Sequence, residues 1–139
     1  MKVRFIAIFL LVLLALLSCK KNSTQSTYQD EGTSVNPVLL SVGSTHQATV
    51  GSYGTSYYKF LAAGNGSHTV SLTNTHSDLS WDLYDDSNYS HNIDWCDNYD
   101  YAADEIASTV SLTNGVTYYL LVDEWDYVAG AFSLTITSP

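Results

Sequence analysis

Positive charge is scarce in this chain of 139 residues, which has five lysines and arginines against fourteen acidic residues. From Asn22 to the C-terminus, one basic residue, Lys59, stands against all fourteen acids, so the formal charge of that part is −13. Proteins that bind nucleic acid neutralise its phosphates with lysine and arginine. The composition therefore excludes a nucleic-acid partner, and it argues against adsorption of the folded part onto anionic lipid.

Catalytic signatures are missing as well. The sequence has no Gly-x-Ser-x-Gly elbow, no His-Glu-x-x-His zinc motif, no Cys-x-x-Cys pair and no phosphate-binding loop. The four histidines show no spacing from which a nucleophile and its base could be argued. We therefore expect a protein that is not an enzyme.

Cysteine and proline are rare, with two residues each. Cys19 belongs to the N-terminal signal described below, so Cys96 has no partner for an internal disulfide. Acidic neighbours such as Asp94 and Asp97 disfavour a thiolate, and we expect Cys96 to be buried or inert. Eleven tyrosines accompany many threonines and serines, a composition that favours β-structure.

Residues 1–18 have the pattern of a secretion signal, because a short positive start precedes an unbroken apolar run from Phe5 to Leu17. A membrane-spanning helix needs about 20 residues, whereas this length suits the apolar core of a signal peptide. The run ends in Leu16-Leu17-Ser18-Cys19, which resembles the lipobox of bacterial lipoproteins. That resemblance implies cleavage before Cys19 and membrane contact through a lipid anchor on Cys19 only. The alternatives are a plain secretory signal with an incidental cysteine and an uncleaved anchor helix.

Residues 19–36 comprise the lipidated Cys19 and a polar stretch without periodicity, which is typical of a flexible tether. A coil of this length reaches roughly 20–25 Å root-mean-square, enough to hold a domain clear of lipid head groups. In the lipoprotein family, an Asp after the lipidated cysteine typically retains the product at the inner membrane. Lys20 stands there instead, which favours the outer membrane.

From residue 37 to residue 139, short runs of alternating apolar residues are separated by turn residues, with no helical stripe. Leu79, Trp81 and Leu83 form one such run, and Asn114-Gly115 is the strongest hairpin signal in the chain. The runs predict one all-β domain, an antiparallel β-sandwich of jelly-roll-like form with about eight strands.

The hexapeptide Thr-Val-Ser-Leu-Thr-Asn occurs at residues 69–74 and again at residues 109–114. Two copies are too few for a repeat protein, and we interpret them as similar positions in opposing sheets. We expect His46 and His68 to be exposed residues of strands.

Four strand motifs follow one another in the order of a known family. They are Tyr58-Lys59-Phe60, residues 78–85 (Asp-Leu-Ser-Trp-Asp-Leu-Tyr-Asp), residues 112–122 and residues 130–136. Over about residues 40–138 the chain resembles the bacterial pre-peptidase C-terminal domain family. It departs from the family pattern at Ser80, where Asp is common, at Phe132, where Tyr is usual, and in a longer approach to Tyr118. The resemblance implies a non-catalytic sandwich of the kind appended to exported peptidases and other enzymes. Some of its relatives bind collagen, polysaccharide or calcium.

The stretch from Asp85 to Glu105 holds seven carboxylates beside several aromatic residues, and we predict it to be one long loop. Clustered carboxylates suit Ca²⁺, which takes about 6–8 oxygen ligands. The candidate metal ligands are Asp85, Asp94, Asp97, Asp100, Asp104 and Glu105. Aromatic rings beside acids suit sugar rings or a protein partner. The candidate ligand-binding residues are Trp95, Tyr99, Tyr101 and Trp125. An acidic loop that only solvates the domain is the alternative.

Residues 123–127 form a second acidic and aromatic spot around Trp125. The signal, the tether, the missing catalytic motifs and the family resemblance together predict a non-catalytic, lipid-anchored binding or adhesion module of the cell envelope. Its ligand is a glycan, a protein or Ca²⁺. The alternative is an accessory or structural subunit that docks an exported peptidase or other hydrolase.

Overall fold

The computed structural model describes residues 28–73, 75–98 and 102–139, so the predicted signal, Cys19 and the first part of the predicted tether lie outside the described residues. Nine β-strands and no helix occur in the described part. The strands are β1 (Val38–Leu40), β2 (Thr45–Val50), β3 (Thr55–Leu61), β4 (Gly66–Thr73), β5 (Leu79–Tyr84), β6 (Asn92–Cys96), β7 (Glu105–Leu112), β8 (Thr117–Glu124) and β9 (Gly130–Thr137). A search of these residues finds no helix of the length and apolarity that a membrane span requires.

The strands form two sheets that enclose one hydrophobic core. Five strands pair in the order β1-β3-β8-β5-β6 and four in the order β2-β9-β4-β7. The pairings in the described part are antiparallel except that of β1 with β3, which is parallel. The predicted all-β sandwich is confirmed.

Alternate residues of both sheets fill the core. Leu79, Trp81 and Leu83 of β5 are buried, and so are Val70 and Leu72 of β4 in the other sheet. Burying one such side chain contributes about 1.5–3 kcal/mol, so this layer supplies the main stabilisation of the fold. The intervening residues of each strand point outward from a rigid frame.

The residue pairs between strands show at which end of the sandwich each loop lies. Thr55 pairs with Asp123 and Leu79 with Glu124, so the β2–β3 and β8–β9 loops share one end, which we call the lower end. The β4–β5 and β6–β7 loops also lie there, because β4 and β6 run toward that end. The β5–β6 turn lies at the opposite, upper end.

The stretch from residue 85 to residue 105 is not the single loop that its composition predicts, because β6 runs through it. Cys96 pairs with Trp81 and Trp95 with Asp82, so β6 is the edge strand of the five-stranded sheet. An edge strand at the rim buries few apolar groups. Its sequence, Asn-Ile-Asp-Trp-Cys, therefore lacks the alternation that identifies the other strands.

The two copies of the hexapeptide lie side by side in one sheet, which corrects the prediction of opposing sheets. They belong to β4 and β7, which pair antiparallel with a register shift between Ser67 and Thr69. Such a shift is a β-bulge, in which one strand carries an extra residue. Val70 of the first copy is consequently buried, whereas Val110 of the second is 45% exposed. Gly115 lies in a connection between the two sheets and not in the predicted hairpin, since β7 and β8 belong to different sheets and do not pair.

His68 is fully buried, contrary to the prediction that it is exposed. Strand alternation turns it inward on the same side as Val70, where its ring lies 6.3 Å from that of Phe60. Its backbone N–H donates to Thr109 Oγ1 at 3.0 Å. The histidine is part of the core beside the bulge.

Contacts with the sandwich begin before residue 37. Glu31 Oε1 accepts from the Thr49 N–H at 3.0 Å, and Glu31 Oε2 lies 2.6 Å from His46 Nε2. Asp30 accepts from the Gly51 N–H at 2.8 Å. The composition predicts a tether as far as residue 36, whereas these two carboxylates hold the chain against the domain from Asp30 onward.

Candidate functional site

The outer face of the five-stranded sheet presents acidic and aromatic side chains in its lower half. Asp82 of β5 pairs with Leu121 of β8 on one side and with Trp95 of β6 on the other, so the three form one row across the sheet. In the next row Asp123 stands between Thr55 and Ser80. We define the acidic-aromatic face as Asp82, Trp95, Asp123 and Trp125.

Both carboxylates of this face are partly buried and accept from neutral donors. Thr55 Oγ1 donates to Asp123 Oδ1, and Asn92 Nδ2 donates to Asp82 Oδ1, each at 2.5 Å. Burial raises the pKa of both carboxyls above the ordinary value, and the charge of Asp82 adds to the rise at Asp123. Within the described ranges, neither carboxylate forms an ion pair with lysine or arginine. The face therefore carries negative charge that no cation of the domain offsets.

Two exposed tryptophans flank the carboxylates. Trp95 is 55% exposed beside Asp82, and Trp125 is 56% exposed beyond the end of β8. Trp125 Nε1 donates to Ser80 Oγ at 3.0 Å, which holds its ring over the lower end of β5. A ring fixed in this way offers a large apolar surface at little further cost in conformational entropy.

A cavity of about 160 Å³ adjoins Asp123, and its lining residues are Tyr53, Gly54, Asp123, Glu124 and Trp125. Tyr53 contacts Tyr127 edge to face, and their hydrogen bond is the main cause that raises the pKa of Tyr53 to about 12. Both tyrosines have left-handed backbone, with φ of 53° and 64°. Non-glycine residues adopt this conformation only when their surroundings enforce it, and such residues concentrate at functional sites.

Glu124 accepts the hydrogen bonds that hold the backbone of the β2–β3 and β8–β9 loops in place. Its side chain points inward at the end of β8 and is 2% exposed. One carboxylate oxygen accepts from the Tyr53 N–H at 2.6 Å, and the other accepts from the N–H groups of Asp126 at 2.6 Å and Val128 at 2.9 Å. Charge-assisted bonds to three amides fasten the β2–β3 loop to the β8–β9 loop. The positions of Tyr53 and Trp125 thus depend on one buried acid.

Four tyrosines cover the upper half of the same sheet face, and one of them, Tyr57, extends this cover to the β3 end of the row that contains Asp82. Tyr89 of the β5–β6 turn meets Tyr57, Tyr84 and Tyr119 edge to face, with ring centroids 5.2, 5.4 and 5.7 Å away. Burial raises the pKa of Tyr89 to about 12. Each such ring pair is worth about 0.5–1.5 kcal/mol beyond its buried area. The turn is therefore packed down onto the sheet, and the open part of the face is its lower half.

Three of the predicted metal ligands lie apart from one another. Asp85 is at the upper end, where its Oδ1 lies 2.9 Å from His91 Nδ1. Asp94 belongs to β6 and accepts from the Val110 N–H of β7 at 2.6 Å, so it covers an open edge of the second sheet. Glu105 is fully buried at the start of β7.

Two of the other predicted ligands, Asp97 and Asp104, belong to the lower β6–β7 loop. Asp97 lies close enough to Asp82 that its charge raises the pKa of Asp82, which puts Asp97 at the margin of the acidic-aromatic face. Asp104 follows in the same loop, and Asp100 lies outside the described residues. In residues 28–73, 75–98 and 102–139, no group of three or more His, Cys, Asp or Glu is arranged to hold a metal ion. Calcium binding stays a prediction.

Two of the predicted ligand-binding aromatics, Trp95 and Trp125, come together on one face although 30 residues separate them in the chain. Tyr99 and Tyr101 lie outside the described residues. Sequence reasoning included Glu124 in the acidic and aromatic spot at residues 123–127, but it did not identify Tyr53 and did not connect Asp82 with Asp123. Alternation places each aspartate at an outward position of its strand, but it does not show that β5 and β8 are neighbours.

The Cys96 thiol is half-buried beside Glu105, in surroundings that disfavour its thiolate. Burial and a hydrogen bond from Cys96 Sγ to Glu105 Oε2 at 3.5 Å raise the thiol pKa to about 11. Glu105 also accepts from the Asn98 N–H at 2.9 Å, and burial raises its own pKa. This pair secures the base of the β6–β7 loop.

Two solved structures have similar folds. The chain is similar to the pre-peptidase C-terminal domain of a collagenase from Bacillus anthracis, with a TM-score of 0.60 and 19% identity over 78% of this chain and 97% of that one. It is also similar to a periplasmic inhibitor of g-type lysozyme from Aeromonas hydrophila, with a TM-score of 0.52 and 14% identity over 78% of this chain and 99% of that one. No protein-family model matches the chain, and no curated protein matches it significantly. The sandwich expected from the four strand motifs is therefore supported at the level of the fold.

Proposed function

We propose that this chain is a non-catalytic, lipid-anchored binding module of the bacterial cell envelope that holds its ligand on the acidic-aromatic face. The observation that carries the proposal is the pair of exposed tryptophans, of which Trp125 is held by a hydrogen bond, beside two half-buried carboxylates. Ligand sites combine apolar surface with a few polar groups that fix orientation, and a rigid sheet holds such groups more precisely than a loop does. The missing catalytic motifs support a binding role.

The face can be tested with the full-length protein purified from membranes in detergent. We expect this protein to capture an envelope glycan or protein, and we expect the double variant Trp95→Ala with Trp125→Ala to lose the capture. Ile106→Ala is the matched control, because Ile106 is 52% exposed on the other sheet. Equal capture by all three proteins would remove the acidic-aromatic face as the binding site.

The lipid anchor rests on the lipobox resemblance. An anchored domain at the outer membrane would keep the acidic-aromatic face in contact with envelope components at high local concentration. Cys19→Ser should abolish lipid attachment and change membrane fractionation. Unchanged processing and unchanged fractionation of this variant would contradict the assignment, whatever the face binds.

A second candidate is an accessory subunit that docks an exported hydrolase. The charge of −13 over residues 22–139 favours it, because an acidic protein attracts a basic enzyme by long-range electrostatics. The Aeromonas hydrophila protein of similar fold is an inhibitor of g-type lysozyme. Adding the purified chain to g-type lysozyme should lower its activity if the two proteins share this role. Undiminished activity at a large excess would exclude that enzyme.

Weak calcium binding remains a third element of the proposal, with the β6–β7 loop as its location. Asp97 and Asp104 lie in that loop with Asp100 between them in sequence. A cation bound only by the folded state raises the melting temperature by mass action. Millimolar CaCl₂ should therefore raise the melting temperature more than NaCl of equal ionic strength, and Asp97→Asn with Asp100→Asn should abolish the difference. An equal rise in both salts would mean screening alone.

A further inference from the structure

The two carboxylates of the acidic-aromatic face stand close together. Asp82 is opposite Leu121 and Asp123 is two residues further along β8, so they are diagonal neighbours across the β5–β8 pair. Diagonal neighbours in an antiparallel sheet are about 7–8 Å apart, within the span of a single side chain that carries several donors. Their mutual repulsion contributes to the raised pKa of Asp123.

Nothing in the described domain neutralises this pair. Lys59, the one basic residue beyond position 21, lies on β3 opposite Tyr119, in the half of the face that the tyrosines cover. The hydrogen bonds from Thr55 and Asn92 satisfy one oxygen of each carboxylate but bring no charge. A ligand that covers the pair without a positive charge would remove water from both anions and leave their repulsion in place.

The aromatic rings beside the pair favour a cation further. A guanidinium stacks on the face of tryptophan and binds carboxylates through a planar fork of donors. Trp95 borders Asp82 in the same row, and Trp125 covers Ser80 in the row of Asp123. The cavity of about 160 Å³ between Tyr53 and Trp125 lies next to Asp123 and has room for a side chain that neighbours the cation in a polypeptide.

We propose that the ligand of this face is a basic segment of a partner protein. An arginine side chain of that segment would be bound between Asp82 and Asp123, with Trp95 and Trp125 on either side. This inference rests on the binding role proposed above. The charge of −13 over residues 22–139 steers such a partner toward the domain. A neutral glycan would use the tryptophans but would gain nothing from the paired charges.

The test uses the full-length protein in detergent and two synthetic peptides, acetyl-Gly-Arg-Gly-Arg-Gly-amide and its analogue with citrulline in place of arginine. Citrulline keeps the shape of arginine and loses its charge. We expect both affinities to be measurable from the quenching of tryptophan fluorescence, and we expect the arginine peptide to bind at least about tenfold more tightly than the citrulline peptide. The loss of a charged hydrogen bond costs roughly 1.5–3 kcal/mol, and about 1.4 kcal/mol corresponds to a factor of ten in affinity. Raising NaCl to several hundred millimolar should weaken this binding.

Three charge-neutralising variants locate the site. Asp82→Asn and Asp123→Asn should each weaken binding of the arginine peptide several-fold. Asp85→Asn should leave the affinity unchanged, because it removes the same charge from the upper end. Thermal melts of the three variants verify that each is folded, and neither of the first two should lose stability, since burial already disfavours the ionised carboxyls.

Equal affinity for the two peptides, or no binding of the arginine peptide, would overturn the inference. So would equal effects of Asp85→Asn and Asp82→Asn, which would reduce the binding to overall charge. A third result would also overturn the inference: neutral oligosaccharides bind, their binding does not depend on salt or on the two aspartates, and the double tryptophan variant does not bind them. The acidic-aromatic face would then still be the binding site, but its ligand would not be basic. If the tryptophan variant changes no binding at all, the proposed function fails too.

Discussion

Glu124 is the residue whose removal should damage both the stability and the site. Glu124→Ala deletes three charge-assisted hydrogen bonds, at 2.6, 2.6 and 2.9 Å, from a side chain that is 2% exposed. Bonds of this kind are worth about 1.5–3 kcal/mol each, but the loops that lose them are near solvent and water can reach part of the gap. We therefore expect a loss of about 4 kcal/mol in the free energy of unfolding.

A loss of this size is a large part of the total, since domains of this length are stable by about 5–15 kcal/mol. It corresponds to a fall in melting temperature of roughly 12–20 °C. Glu124→Gln should cost about half as much, because one amide oxygen can still accept while the amino group faces an N–H donor. Urea denaturation followed by tryptophan fluorescence measures all three proteins.

The neighbouring residue provides the control. Asp123→Asn changes the same charge one position away, on the outer face of β8, and should not lower stability. A loss below about 1 kcal/mol for Glu124→Ala would refute the reasoning that this carboxylate fastens the two loops. If Glu124→Ala lowers the free energy of unfolding strongly but its folded molecules bind the peptide or glycan as well as the unaltered protein does, the role of Glu124 in positioning Tyr53 and Trp125 is refuted.

Three further predictions concern other buried groups. Burial raises the pKa of Asp82, Asp123 and Glu105, so the folded state binds their protons more tightly than the unfolded state does. The melting temperature should therefore rise as pH falls from neutrality toward the ordinary carboxyl pKa, and Asp82→Asn with Asp123→Asn should flatten this dependence. With a thiol pKa of about 11, Cys96 should react slowly with iodoacetamide at pH 8 and rapidly once urea unfolds the chain, and fast labelling of the folded protein would contradict its environment. Glu31→Ala should cost about 2 kcal/mol in urea denaturation, because it releases the Thr49 N–H and leaves the segment from Asp30 onward weakly held.

The core could be predicted from the sequence because each core strand alternates cleanly. Leu79, Trp81 and Leu83 are separated by polar residues, and all three are buried. Strand β7 breaks the rule, since the apolar Ile106 and Val110 point outward while Glu105 and Thr109 are buried. In an edge strand with a bulge, pairing with the neighbouring strand decides which side chains point inward. A period-two pattern of apolar residues does not contain that information.

The candidate site could be predicted only in part, because it depends on which strands are neighbours. Trp95 and Trp125 stood out as aromatic residues beside acids, and the structure brings both to the face that contains Asp82 and Asp123. The two aspartates are 41 positions apart, and they meet because β5 pairs with β8. Alternation reveals which way a side chain points within its strand but not which strand lies beside it. The sheet order comes from long-range packing, so Asp82 and Asp123 carried no visible link.

The two outer faces of the sandwich differ in a way that bears on partner choice. On the four-stranded sheet, Thr45 pairs with Thr135, and Thr69 pairs with Thr137 and Ser108, so hydroxyl groups occupy successive rows. Such a face interacts weakly with charge of either sign. The opposite face holds its carboxylates in a partly buried setting, where electrostatic interactions are stronger than in bulk water. We therefore expect a basic partner of the proposed kind to be attracted to the acidic domain as a whole and to gain its specific contacts on the five-stranded sheet, and this difference would set the orientation of the complex.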